Sequence, residues 1–314
     1  MRVLMITGDK KFGPGHPRFE LQQSAVEELV LVFWGRGSRS PFSVLRAAFG
    51  KKFDVVTVQD PFWRGLFGWI IARLQGAKLN VQVHSDFEAE TAGNTLRRIL
   101  GKRILRHADS VRVVSQKLKE QVERIGVRAP ISVLPVFIEL ERFRNITRVP
   151  DTQKTILWIG RFEPEKDPEE AVSIWKKVRE ADIDAGLVIL GAGSLHDHLD
   201  QLRMQSVHEM KNVSFEVKDW QDPLYYLARA NVVLCTSLHE SWGASIVEAL
   251  AAGVPVVAPD VGIAREAGAF IVERDQLAKK VIEVLKSDER GELKLQLPTK
   301  EEWTERWKKS LSEL

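Results

Sequence analysis

Short apolar, β-branched runs recur along the chain, each followed by a stretch long enough for a helix. In the first half they read "RVLMIT", "LVLVFW", "DVVTV", "LNVQVH" and "SVRVV". Runs this uniformly apolar predict strands covered on both faces, and helix-length spacers predict a parallel sheet. The pattern stops at the polar "RNITRVPDTQ", where Pro150 forbids a helix, which puts a linker near residues 144–153. It then restarts with "KTILWIG", "GLVILG", "VSFEV", "VVLCT" and "VPVVA". The predicted fold class is α/β, with two tandem Rossmann-like doubly wound domains, 1–146 and 147–298. Such sheets bind ligands beyond the carboxyl ends of their strands, so two facing units would share a central cleft. In residues 299–314, "TKEEWTERWKKSLSEL" predicts a terminal helix. Thr299 and Glu302 form a capping box, and Trp303, Trp307, Leu311 and Leu314 share one face that must pack somewhere, with the interdomain seam as one option.

The composition, 44% apolar and 28% charged over 314 residues, is that of a soluble globular protein. No apolar run approaches a membrane span. "MRVLMIT" lacks a cleavage pattern and reads as a first strand, and the single cysteine, Cys235, fits a reducing cytoplasm. The net charge of +3 hides an asymmetry: residues 1–150 hold 25 Lys/Arg against 14 Asp/Glu (+11), residues 151–314 hold 21 against 29 (−8). The basic excess crowds "NTLRRILGKRILRHADS", either a solvated helix face or a surface for something anionic. An anionic inner membrane face is the partner it suggests, not nucleic acid.

Two stretches carry candidate chemistry. In "WIGRFEPEKDPEEAV", Asp167-Pro168 is a helix start, so Arg161 and Lys166 lie in a strand-to-helix loop, where two cations beside a helix N-terminus suit a diphosphate. In "HESWGASIVEALAAGVPVVAPD", Glu240 falls on a loop at a strand's carboxyl end and Glu248 about a turn into the next helix. The amides of Gly243, Ala244 and Ser245 would open that helix, ready for phosphate or sugar oxygens. Ionised carboxylates only accept hydrogen bonds, which suits sugar hydroxyls.

That segment resembles the E-x7-E element of the large family of retaining, nucleotide-sugar-dependent glycosyltransferases with the GT-B fold (the fourth family of the sequence classification). "GRFEPEKD" is similar to its phosphate loop, and "ADSVRVVSQKLKEQV", "SVLPVFIELERF", "LGAGSLHDHL" and "VSFEVKDWQDPLYYLARANVVLCTS" resemble further parts of the fold. The resemblance implies roles. Arg161 and Lys166 would hold the donor diphosphate, Glu240 the transferred sugar and Glu248 the ribose. His84, in "VQVHSDF", would reach the donor sugar; on its own it reads as a capping or core histidine. It also implies a nucleoside-diphosphate-sugar donor, a glycan or lipid-linked acceptor, retention of configuration, and neither metal nor other cofactor. A GT-B protein that binds nucleotide sugar without turnover, or an epimerase or phosphorylase, is the alternative. The first loop, "TGDKKFGPGHPRFE", departs from the family's Gly-Gly run, although Gly8, Gly13 and Gly15 could still let backbone approach a ligand. Lys166 is followed by Asp167, an acid beside the expected phosphate unless the helix uses it as a cap.

Four features look like chemistry and read better as structure. Asp182-Ile183-Asp184 is a literal D-x-D but lies at the sheet's amino edge. His196 and His198 diverge on a helix. "GAGSLH" lacks the third glycine of a dinucleotide loop. "PFWRGLFGWIIARLQG" reads as a core helix.

Overall fold

The computed structural model describes residues 1–35, 50–149 and 153–312, apart from 211, 212 and 288. Leu314 and residues 150–152 of the expected linker lie outside them. Two compact units emerge, one of Met1–Phe137 with Leu297–Leu314 and one of Ile138–Gln296.

The first unit is a six-stranded parallel sheet: β1 (Arg2–Thr7), β2 (Glu28–Phe33), β3 (Val55–Val58), β4 (Lys78–Val83), β5 (Ser110–Val113) and β6 (Ile131–Val133), in the order β2-β1-β3-β4-β5-β6. All residues of β3 and β5 are buried, which is why those runs show no polar alternation. The terminal helix Lys300–Ser312 completes this unit's core: Trp303, Trp307 and Leu311 pack with Val3, Met5 and Phe19. Its capping box is formed, Glu302 N donating to Thr299 Oγ1 at 3.2 Å and Thr299 N to Glu302 Oε2 at 2.9 Å.

Beneath that helix the sheet carries a buried polar row. Thr57 Oγ1 donates to Asn80 Oδ1 (2.7 Å), and Asn80 Nδ2 donates to Ser110 Oγ (2.8 Å) and to the Ser310 carbonyl (2.9 Å). Arg112 donates to Gln82 Oε1 (2.8 Å) and to the carbonyls of Leu134 and Pro135 (3.1 Å each). Burial lowers its pKa to about 9, and the charge of Arg18 adds to the effect.

The helix Trp63–Gln75 corrects one expectation. Gly65, Gly68, Ile71 and Ala72 are buried, but Trp63 and Leu74 face solvent, so only one side of this aromatic stretch is core. Gly65 and Gly68 let it approach its neighbours, because a Cβ there would meet Ile104 at 2.8 Å or Val58 at 2.3 Å.

The second unit is also a six-stranded parallel sheet: β7 (Lys154–Arg161), β8 (Ala185–Ala192), β9 (Phe215–Asp219), β10 (Val232–Leu234), β11 (Val256–Ala258) and β12 (Phe270–Ile271), in the order β12-β11-β10-β7-β8-β9. Trp158, Phe162 and Trp175 fill its core, and Trp175 Nε1 donates to the Ala185 carbonyl at 2.8 Å. Each unit is thus Rossmann-like and doubly wound. Among the described residues no helix is long and apolar enough to cross a membrane.

Candidate functional site

In the second sheet the chain leaves β7 towards β8 on one side and returns to β10 on the other. Such a reversal opens a crevice beyond the carboxyl ends of the two central strands. The loops that flank it carry "RFEPEKD" after β7 and "CTSLHESWG" after β10.

Pro164–Lys166 form one 3-10 turn, and Asp167 follows with φ +48°, a left-handed residue that caps the helix Pro168–Glu180 through Glu170 N (3.4 Å). Lys166 Nζ sits 2.5 Å from Glu240 Oε1, and Ser237 Oγ donates to the same oxygen at 2.8 Å. Both members of the ion pair are largely withdrawn from water, 13% and 15% exposed. The two loops are tied together around them. Leu238 N donates to the Glu165 carbonyl (2.9 Å), Thr236 Oγ1 to the Asp167 carbonyl (2.7 Å), and Trp158 Nε1 to Thr236 Oγ1 (2.8 Å). Arg274, from the turn after β12, pairs with Asp167 at 2.5 Å and donates to the Thr236 carbonyl at 2.5 Å. Asp167 is therefore taken up as cap and as Arg274's partner. Burial, helped by the charge of Glu240, pushes the Cys235 thiol up, which keeps this neighbour protonated and unreactive.

Gly243 (φ +105°) turns the chain into the helix Ala244–Ala251, and its carbonyl accepts from Ile246 N (3.1 Å) and Val247 N (3.3 Å). Among the described residues, the amides of Gly243, Ala244 and Ser245 donate to no protein acceptor. Such a helix start favours an anion or a ring of hydroxyls. Glu248 is half-buried on the same helix. Gly262 closes the floor: φ is +55°, and a Cβ there would lie 2.4 Å from the Trp242 carbonyl oxygen and 2.8 Å from Glu240 Cβ.

Of the expected residues, the second unit brings together Lys166 and Glu240, on the loop that leads into Gly243, Ala244 and Ser245. Arg161 instead pairs with Glu165 at 2.7 Å, 68% exposed. In the first unit, His84 follows β4, its Nε2 3.2 Å from Gln82 Oε1. Burial first, then Arg112 and Arg18, push its pKa down to about 3, so the imidazole is neutral at neutral pH. Gly13 and Gly15 lie in the loop after β1. The Gly13 carbonyl accepts from His16 N (2.9 Å), and Gly15 (φ +87°) donates to Glu20 Oε1 (2.8 Å).

The structural readings of the look-alikes have physical counterparts. Asp184 is engaged by Arg179 and Gln153. His196 turns to Asp219 (3.3 Å) and His198 to Glu169 (3.2 Å). A Cβ on Gly191 would lie 1.8 Å from the Gly160 carbonyl oxygen, so that glycine serves strand packing. Among the described residues no three potential metal ligands cluster. Sequence reasoning missed Arg274, Thr236 and Gly262; the two-residue strand before Arg274 is too short to have signalled its loop.

Residues 140–304 match the family "Glycosyl transferases group 1", and residues 2–136 match the "Glycosyl transferase 4-like domain". The chain belongs to this family of glycosyl transferases. Among its relatives are a Methanocaldococcus jannaschii glycosyltransferase, 36% identical over 122 residues (38% of this chain, 30% of the relative), and the alpha-monoglucosyldiacylglycerol synthase of Streptococcus pneumoniae, 24% identical over 229 residues (66% and 52%). The chain thus spans 30% to 52% of the length of these curated relatives. Sucrose-phosphate synthase from Thermosynechococcus elongatus (17% identity, TM-score 0.72, 98% of this chain and 92% of that one) and Anabaena HepE in complex with UDP-glucose (16%, 0.72, 99% and 95%) share the fold. It is the GT-B architecture of two Rossmann-like domains.

Proposed function

We propose that the protein transfers a sugar, with retention of configuration and without a metal, from a nucleoside-diphosphate sugar to a hydroxyl of a glycan or lipid-linked acceptor. The observation that carries this is the Lys166–Glu240 pair, set at the reversal point of the second sheet on the loop that leads to three open amides. Lys166 and the helix start take the charge of the diphosphate, with Arg161 swinging from Glu165 to join them. Glu240 accepts from hydroxyls of the sugar and Glu248 from the ribose. Neutral His84 offers one ring N–H or lone pair to the sugar.

The bond from the anomeric carbon to the phosphate oxygen breaks as the acceptor oxygen bonds to the same face. The acceptor's proton passes to the departing phosphate. Rate then comes from stabilising the leaving group and aligning the acceptor. Relatives support the donor class: HepE is known with UDP-glucose and pneumococcal GtfA with UDP and GlcNAc.

Calorimetric titration with UDP, GDP and ADP tests the reading. One of the three is expected to bind saturably, more tightly than the others; no heat from any of them would leave the donor site without support. A second part of the proposal is contact with an anionic membrane through the helix Thr95–His107, where Arg98 and Arg103 are exposed beside Leu96 and Ile99. Sedimentation at low salt should favour anionic over neutral vesicles. Equal recovery with both removes this part.

A further inference from the structure

The strands β3, β4 and β5 turn polar side chains into the interior of the first unit. Thr57, Asn80, Gln82, Ser110 and Arg112 are each at most 4% exposed, and so is Ser310 on the terminal helix. A buried donor set against a donor, or an acceptor against an acceptor, leaves both unsatisfied at a cost larger than one good bond returns. The protons of such a row are therefore not free to choose their places.

The row can be read from both ends. At one end the acceptor is fixed. The Ser310 carbonyl cannot donate, so the Asn80 atom 2.9 Å from it is Nδ2, and Oδ1 is the atom 2.7 Å from Thr57 Oγ1. Thr57 has a single O–H and gives it to that oxygen. Its lone pair accepts from Gln82 Nε2 at 2.8 Å. At the other end the donor is fixed. A guanidinium has no acceptor, so the Gln82 atom 2.8 Å from Arg112 Nη1 is Oε1. Arg112 is itself held in place, because Nε and Nη2 donate to the Leu134 carbonyl (3.3 and 3.1 Å) and Nη2 also to the Pro135 carbonyl (3.1 Å). Turning Asn80 over would set two carbonyl oxygens together, and turning Gln82 over would set its Nε2 against Arg112 Nη1. Both ends demand one orientation of the Gln82 amide.

Gln82 Oε1 is also the atom that His84 Nε2 meets at 3.2 Å. An amide oxygen only accepts, so the imidazole must supply the proton. Burial, then the charges of Arg112 and Arg18, hold the pKa of the ring down to about 3, so it carries one proton and not two.

We infer that Gln82, oriented by Arg112 on one side and by Thr57, Asn80 and the Ser310 carbonyl on the other, fixes His84 as the Nε2–H tautomer and leaves Nδ1 as a lone pair. Gln82, Thr57, Asn80 and Arg112 are positioning residues, and they act through the ring. In the sugar-transfer reading Nδ1 then accepts from a hydroxyl of the donor sugar, where an Nδ1–H ring would seek a phosphate or carbonyl oxygen instead. The sugar's part rests on that reading; the tautomer does not.

The test is a long-range proton–nitrogen NMR spectrum of the whole chain with isotope-labelled histidine. A ring nitrogen without a proton resonates far from one that carries it, and the coupling pattern tells Nδ1 from Nε2. The His84 signals are those missing from His84→Asn. A protonated Nε2 and a bare Nδ1 are expected, unchanged through the pH range in which an ordinary histidine takes its second proton. A bare Nε2, or shifts averaged between the two forms, would overturn the inference. Gln82→Leu offers the ring neither donor nor acceptor and should give that averaged pair, whereas Gln82→Glu keeps an acceptor and should keep the Nε2 proton. A single unchanged tautomer in folded Gln82→Leu would take Gln82 out of the role. Should that variant not fold, the wild-type chain and Gln82→Glu decide the matter. Whichever of UDP-glucose, GDP-mannose and ADP-glucose binds should move the Nδ1 shift, and its nucleotide alone should not. A bound nucleotide sugar that leaves Nδ1 unmoved would overturn the sugar contact. The expected tautomer with no nucleotide sugar bound would remove the transfer reading and keep the relay.

Discussion

Lys166→Ala is expected to slow sugar transfer by about 10²- to 10³-fold while the protein stays folded. The size follows from where the ammonium sits. It is 13% exposed, 2.5 Å from Glu240, at the end of a strand where the leaving diphosphate is proposed to lie. A cation held there needs no reorganisation as charge builds on the leaving oxygen, and exclusion of water strengthens the attraction. Removing it also leaves the Glu240 carboxylate, 15% exposed, with Ser237 as its remaining hydrogen-bond donor among the described residues. That carboxylate would then repel the diphosphate it now helps to frame.

Glu240→Gln separates the two contributions. It removes the charge that pairs with Lys166 and turns one of the two acceptor oxygens offered to the sugar hydroxyls into an amide donor, so its loss should fall on kcat more than on nucleotide affinity. The double variant should lose less than the sum of the two singles, as residues in direct contact do. Steady-state rates with the nucleotide sugar selected by titration decide the matter. Activity within threefold of wild type in Lys166→Ala would remove the lysine from the reaction.

The second large effect is on stability. Trp307→Ala should destabilise the protein by about 3–5 kcal/mol, read as the midpoint of urea unfolding. Trp307 is 0% exposed within the core that the terminal helix completes. The neighbouring tryptophan gives the control. Trp303 Nε1 donates to the Pro135 carbonyl at 2.8 Å, whereas the indole N–H of Trp307 is buried with no acceptor among the described residues. Trp303→Phe should therefore cost about 0.5–1.5 kcal/mol for the lost hydrogen bond on top of the volume change. Trp307→Phe gives back a desolvated donor and should cost less than Trp303→Phe. The opposite order would mean that the Trp307 N–H has a partner.

Most strands were legible because buried parallel strands are apolar on both faces, and "VVTV" or "LVIL" has no other cheap conformation. The strands not read were β6 and β12, of three and two residues and only partly buried, too short for a pattern. Lys166 and Glu240 could be placed because the carboxyl end of a parallel strand is where ligands go. Their contact could not, since it depends on β7 and β10 being neighbours, which sheet order decides. Arg274 was hidden for the same reason, 107 positions from the Asp167 it holds. The aromatic helix Trp63–Gln75 misled through composition: apolar content says that a segment has a buried face, not that every apolar residue is on it. Trp63 and Leu74 are the exceptions.

The first unit takes its last helix from the far end of the chain. Asn80 is satisfied by the Ser310 carbonyl, and Val3 and Met5 are covered by tryptophans about three hundred positions later. On a ribosome, where about 5–20 residues are added each second, residues 1–137 would emerge and then wait about 10–30 s for the segment from Leu297 onward. Through that interval one side of their sheet, with its row of polar side chains, lacks its cover. The second unit, continuous in sequence, has no such delay. The half made first is finished last, and a chain stalled before Leu297 would present a complete second unit beside a half-clad first one, the form that chaperones and proteases would meet.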